Sequence, residues 1–211
     1  MKRRIALSLL AAVLVGPGMA ATHAADPEGA RQVVQETTDR MLEALRAQRD
    51  ELRQRPEKIY PLVDSIVLPH FDFTRMSRWV LGKYWRASTD AQKARFVEEF
   101  RNLLVRTYAT ALLEYADQSV NVLPLRGASS GAEVAVRTEV RQSGAPPIPI
   151  NYSMSAAEGA WKVYDVTVDG ISLVASYRST FANEMERGGM DHVIALLEQR
   201  NREVGSGGGK K

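Results

Sequence analysis

The sequence predicts an α+β fold in which helices pack on one face of a four-stranded antiparallel sheet. Apolar residues recur at three-to-four spacing along most of the chain up to Ala116, the period of amphipathic helices. From Val120 to Val168 the period falls to two, the mark of half-buried strands. The alternating runs are joined by short turns, Ser143-Gly144-Ala145-Pro146 and Glu158-Gly159, so consecutive strands are expected to pair as a meander.

The chain opens with Lys2, Arg3 and Arg4, an apolar run from Ile5 to Val15, and a small-residue stretch that ends at Ala24-Ala25. This is the pattern of a secretory signal peptide over residues 1–24, and the apolar run is too short to span a bilayer. No cysteine occurs anywhere, so the mature chain is expected to be exported and released without a lipid anchor. Without disulfides its stability must come from an ordinary core, and about 180 residues suffice for one domain, expected over 25–203. The Gly-rich end, 204–211, reads as a disordered tail.

Loss of the leader removes three of the 28 Lys and Arg residues and no acid, which leaves 25 against 25 Asp plus Glu. A neutral mature chain gives no reason to expect a nucleic-acid partner.

Asp26-Pro27-Glu28 starts a helix, an N-cap followed by proline at the first position, with a thin apolar stripe through Val33, Thr37, Met41, Leu45 and Leu52. A shorter segment follows from Ile59 to Leu68. Phe71 to Tyr84 reads as short helix, capped by Asp72 and ended by Gly82. Thr89 and Gln92 form a capping box, and the apolar face beyond them predicts one helix to Ala116, about 40 Å long. Four strands are then expected around Val120–Val122, Ala132–Val140, Ile148–Met154 and Trp161–Val168. Gly170 punctuates the last of them, an amphipathic helix runs over 172–186, and Gly188-Gly189 separates it from a final helix over 190–200.

Chemistry-bearing patterns are sparse. His70 and His192 have no partner at metal-ligand spacing, and surface or cap roles account for them. Phosphate-loop and dinucleotide glycine patterns are absent. Asp165 and Asp169 fall on positions opposite the apolar even set of their strand, so both are expected to face solvent or, for Asp169, to cap the turn. The many large apolar residues on inner faces fit either a plain core or a cavity for an apolar ligand, and pattern alone does not choose between them.

Three blocks carry a resemblance. Leu81-Gly82-Lys83-Tyr84-Trp85-Arg86, then Gln92, Phe96 and Phe100, then Trp161 to Val166 with Gly170 to Val174 and Tyr177-Arg178, resemble the MlaC family, the toluene-tolerance Ttg2 type. The likeness covers essentially the whole mature chain. It implies a periplasmic phospholipid-binding protein with an NTF2-like fold around an apolar cavity, and no cofactor, bound phospholipid being the cargo. It further implies partners: an outer-membrane lipoprotein complex and an inner-membrane ABC transporter with an MCE-domain protein, between which lipid is shuttled to maintain outer-membrane lipid asymmetry. On this resemblance the cavity wall is expected to comprise Val136, Ile148, Ile150, Tyr152, Tyr164, Val166 and Val168 of the sheet. Leu104, Tyr108 and Leu112 of the long helix and Leu173, Val174 and Tyr177 after the glycine complete it. Lys83, Arg86 and Arg178 are the expected head-group contacts. Two other readings stay open at this point: an NTF2-like enzyme on a small apolar substrate, and a protein-binding module with a solid core.

Overall fold

The computed structural model describes residues 26–126, 132–142, 144–157 and 159–205; the expected signal peptide, and the tail from residue 206 on, lie outside them. Helix α1 (Pro27–Ala47) starts as the sequence predicts, with the Asp26 carboxylate accepting from the Glu28 N–H at 3.0 Å. It is followed by α2 (Arg49–Gln54), α3 (Ile59–Ile66), α4 (Phe73–Leu81) and α5 (Lys83–Ala87), with 3-10 turns at Pro56–Lys58 and Leu68–His70. Asp72 caps α4 by accepting from the Arg75 N–H at 2.8 Å. At the other end Gly82 takes φ 53 and ψ −118, a conformation that essentially only glycine occupies without strain.

Helix α6 (Asp90–Tyr108) carries the expected capping box between Thr89 and Gln92. It is shorter than the single long helix the apolar pattern predicts, because the chain tightens into a 3-10 segment at Thr110–Tyr115. Three residues per turn rotate the side chains away from the α6 stripe. Leu112, Leu113 and Ala116 thereby reach the core formed with α1, α2 and α3, while Tyr108 is left exposed.

The sheet has five strands in the order β1-β2-β3-β4-β5, all antiparallel: β1 (Ser119–Val122), β2 (Glu133–Arg141), β3 (Ile148–Ala157), β4 (Ala160–Val168) and β5 (Ile171–Ser172). The fifth strand corrects the expected count of four. It exists because Asp169 (φ 49) and Gly170 (φ 82) form a two-residue turn with both residues left-handed, whose twist suits a tight hairpin. Gly170 therefore closes a hairpin before the helix begins. Helix α7 (Leu173–Gly205) is broken at Gly189, φ 71 and ψ −166, where the sequence predicts a separation into two helices.

Three buried clusters hold the molecule. Phe96, Phe100 and Phe181 centre the first, between α4, α6 and α7, with ring contacts of 5.5 to 5.8 Å. The second lies among α1, α2, α3 and the 3-10 segment. The third packs Ala30 and Val34 of α1 on Val136, Met154, Trp161 and Val163 of the sheet. Trp161 anchors it: its indole N–H donates to the Asp26 carbonyl at 3.0 Å, and its ring lies where a Cβ on Gly29 would come within 3.3 Å.

Candidate functional site

Cross-strand register defines one apolar face of the sheet. Tyr152 pairs with Val136 on one side and Val166 on the other, Ile150 pairs with Thr138 and Val168, and Ile148 pairs with Val140. Direct partners share a face, so these eight side chains form three rows on one surface. Burial falls across the rows. On β2, Val136, Thr138 and Val140 are buried, whereas Ile148, Ile150 and Tyr152 on β3 and Val166 and Val168 on β4 are only half-buried. The helices cover β2 and the end of β3 and β4 that carries Met154, Trp161 and Val163, and leave Ile148, Ile150, Tyr152, Val166 and Val168 partly open. Thr138 keeps its hydroxyl satisfied by donating to the Ile150 carbonyl at 2.9 Å, so the face has little polar demand. Burial raises the Tyr152 phenol above its ordinary value, which keeps it neutral at physiological pH.

Strict alternation fails at Tyr164. Ser153 pairs with Asp165 but Met154 pairs with Val163, so β4 carries one extra residue there. A bulge of this kind flips the parity of everything beyond it. Trp161 and Val163 consequently join the face of Val166 and Val168, although they have odd numbers, and Tyr164 turns away toward α4. Its ring lies 5.7 Å from Trp79 and 3.9 Å from the Arg75 guanidinium, and its hydroxyl donates to Glu133 at 3.2 Å. Arg75 also forms an ion pair with Glu133. That hydrogen bond from Arg75 is the main reason the Glu133 carboxyl lies below its ordinary range, and burial, followed by the nearby Glu133 charge, raises the Tyr164 phenol.

The remaining expected wall positions separate. Leu104 and Val174 are buried in the cluster of α4, α6 and α7, with Tyr177 packed against it. Burial, then the neighbouring Tyr108 hydroxyl, pushes the Tyr177 phenol far up. Tyr108 itself is 41% exposed, Leu112 belongs to the second core cluster, and Leu173 is half-buried at the start of α7.

Asp165 corrects the expectation that it faces solvent. It is half-buried, and its carboxylate accepts from the Ser172 hydroxyl at 2.6 Å and the Val174 N–H at 3.1 Å. It thus fastens the first turn of α7 to β4. Asp169 is exposed, and its N–H donates to the Pro149 carbonyl at 3.0 Å.

The three basic residues expected at a head group do come together. Lys83, Arg86 and Arg178 line one recess of about 630 Å³ with Arg78, Trp79, Gly82 and Trp85. A second recess of about 350 Å³, lined by Asp72, Thr74, Arg75, Arg78 and Trp79, adjoins it. Neither recess is lined by any of the thirteen expected wall residues. Arg178 lies over Gly82, its guanidinium 3.4 Å from where a Cβ on that residue would stand. Arg75, Arg78, Trp79 and Gly82 were missed as functional candidates, yet their spacing of three, four and seven residues marks one face of a helix.

His70 is half-buried, and its pKa is lowered by burial first and then by Lys162 and Arg40. His192 pairs with Glu184 at 2.9 Å across the break in α7. Among the described residues no group of three or more His, Cys, Asp or Glu side chains is placed to hold a metal ion, and no helix is long and apolar enough to cross a membrane.

A family model described as MlaC protein matches residues 35–199. The toluene tolerance protein ttg2D of Pseudomonas putida is 34% identical over 160 residues, which span 75% of this chain and 74% of that protein. The intermembrane phospholipid transport system binding protein MlaC of Haemophilus influenzae is 23% identical over 170 residues, 79% of each chain. Among solved structures, the phospholipid-binding protein of Ralstonia solanacearum, in complex with a phospholipid, superposes with a TM-score of 0.77 at 30% identity, covering 83% of this chain and 98% of that one. Matched in sequence and in fold over most of its length, the chain belongs to the MlaC family.

Proposed function

We propose that this protein is a periplasmic phospholipid carrier that holds acyl chains against the half-buried face of β3 and β4. The observation that carries the reading is that incompletely covered face, with Ile148, Ile150, Tyr152, Val166 and Val168 in register, in a fold shared with a protein solved in complex with a phospholipid. The partners are those of a lipid transport system: an outer-membrane lipoprotein complex on one side, and an ABC transporter with an MCE-domain protein at the inner membrane. Carriage requires no catalysis and no cofactor, phospholipid being the cargo.

Energetics limit what such a carrier does alone. Two acyl tails of together ~30 methylenes, hidden from water at ~0.8 kcal/mol each, correspond to about 24 kcal/mol. That exceeds the ceiling of roughly 18 to 21 kcal/mol for non-covalent affinity, so water is the wrong reference state. In a bilayer the tails are already dry, and transfer from bilayer to carrier is close to neutral. The carrier supplies an apolar container, and direction comes from its partners.

Val166→Arg and Val168→Arg test the site. Each places a charge on the open part of the face, where desolvation without a partner is costly. Phospholipid extracted from the purified variants should fall to about a tenth of wild type or less, which corresponds to ~1.4 kcal/mol or more, with folding retained by circular dichroism. Undiminished lipid in folded variants would mean that this face is plain core.

A further inference from the structure

We propose that the groove formed by the two adjoining recesses along α4 is a docking site for an acidic, extended segment of a partner protein. This extends the carrier reading, since a carrier that loads and unloads must also dock, and it rests on that reading only for the reason a partner exists. The groove draws its charge from three elements: Arg78 of α4, Lys83 and Arg86 of α5, and Arg178 of α7. Arg78 lies over the Trp85 ring at 5.9 Å and Lys83 over Tyr84 at 4.9 Å, and among the described residues none of the four has a carboxylate partner. The one acidic side chain in the groove, Asp72, is turned to the Arg75 N–H as a helix cap. Four unpaired cations gathered on a mature chain whose charges balance overall mark a local demand for anions.

Charge count and shape choose the occupant. A lipid phosphodiester brings a single negative charge, and the head group of a lipid held on the β3–β4 face must sit at the edge of that face. The groove has four unpaired cations, Arg75 being held by Glu133, and shares no lining residue with the expected wall. A flat bilayer surface cannot enter a recess. A peptide with several carboxylates matches the four cations, lies along a groove that continues through Arg78 and Trp79, and can set an apolar side chain against Trp79, which is 47% exposed. Contacts of this exposed, charged kind speed association and are weakened by salt, as suits a partner that must leave again.

The experiment uses the full mature chain with its phospholipid content measured beforehand. A fluorescein-labelled peptide of alternating Glu and Leu is titrated against wild type, Arg78→Glu and Arg78→Gln, and vesicles of phosphatidylethanolamine and phosphatidylglycerol form a second arm. Arg78 is exposed and unpaired, so both variants are expected to fold. Saturable peptide binding that weakens with salt, falls roughly five- to thirtyfold in Arg78→Glu and by less in Arg78→Gln is the expected result, with the lipid content of both variants at the wild-type level. Absence of saturable peptide binding, an affinity unchanged by Arg78→Glu, or Arg78-dependent binding to vesicles but not to peptide would overturn it. Loss of lipid from the Arg78 variants would reassign the groove to the head group. Lipid-free wild-type protein would instead count against the carrier reading, and the peptide titration would still decide this one.

Discussion

Tyr164 shows how a single inserted residue redistributes roles along a strand. The bulge sends it to Arg75, Trp79 and Glu133, away from Val166 and Val168. The sequence shows the alternation of β4 but not the break in it, because a bulge is set by what pairs with the strand and leaves no mark on hydropathy. The contacts made by Glu133 lead to a pH prediction. Its folded carboxyl lies below the ordinary value of 4.5, so the stability it contributes is present above that value and is lost as pH falls through the folded one. Glu133→Gln should therefore leave the urea midpoint less sensitive to pH below 4.5 than in wild type, and an equal sensitivity would show that the Arg75–Glu133 pair does not contribute. Gly82 yields a second prediction at this scale. With φ 53 and ψ −118, alanine there is strained by about 1 to 3 kcal/mol, and chemical denaturation of Gly82→Ala should show a loss of that size.

At the scale of elements, caps and turn residues were the most legible features. Asp26, Asp72 and the Thr89–Gln92 box sit where their side chains predicted helix starts, since capping is local chemistry between residues two or three apart. The end of α6 was not legible. Its apolar spacing continues past Tyr108 without glycine or proline, and only packing of Leu112 and Ala116 against α1 to α3 draws the chain into a 3-10 segment. Asp165 was misread for a related reason: parity placed it outside, and the start of α7 came over it. Its carboxylate satisfies the Val174 N–H and the Ser172 hydroxyl, so Asp165→Ala should lower stability by about 1 to 2 kcal/mol, measured by urea unfolding. A change below a few tenths would mean that Ser172, whose hydroxyl already accepts from the Ala175 N–H at 3.0 Å, caps the helix alone.

For the whole molecule, the change of period after Ala116 was enough to divide the chain into helices and sheet, and the three motif blocks were enough to name the family. The apolar face of the sheet was legible only in part. Alternation gave Ile148, Ile150, Tyr152, Val166 and Val168 because strand periodicity is also the periodicity of the face. It gave no means of knowing that helices cover β2 and the Met154–Trp161–Val163 end of the face more fully than these five positions, which is a property of tertiary packing. The same limit hid the α4 groove, whose four unpaired basic side chains come from three separate elements. A carrier account requires that the open part of the face be occupied in the cell. The most direct measurement is native mass spectrometry, with lipid extraction, of protein isolated from cells without detergent. The account predicts mass increments equal to one or more phospholipids, confirmed in the extract and lost from Val166→Arg; a clean apo mass with no extractable phospholipid would contradict it.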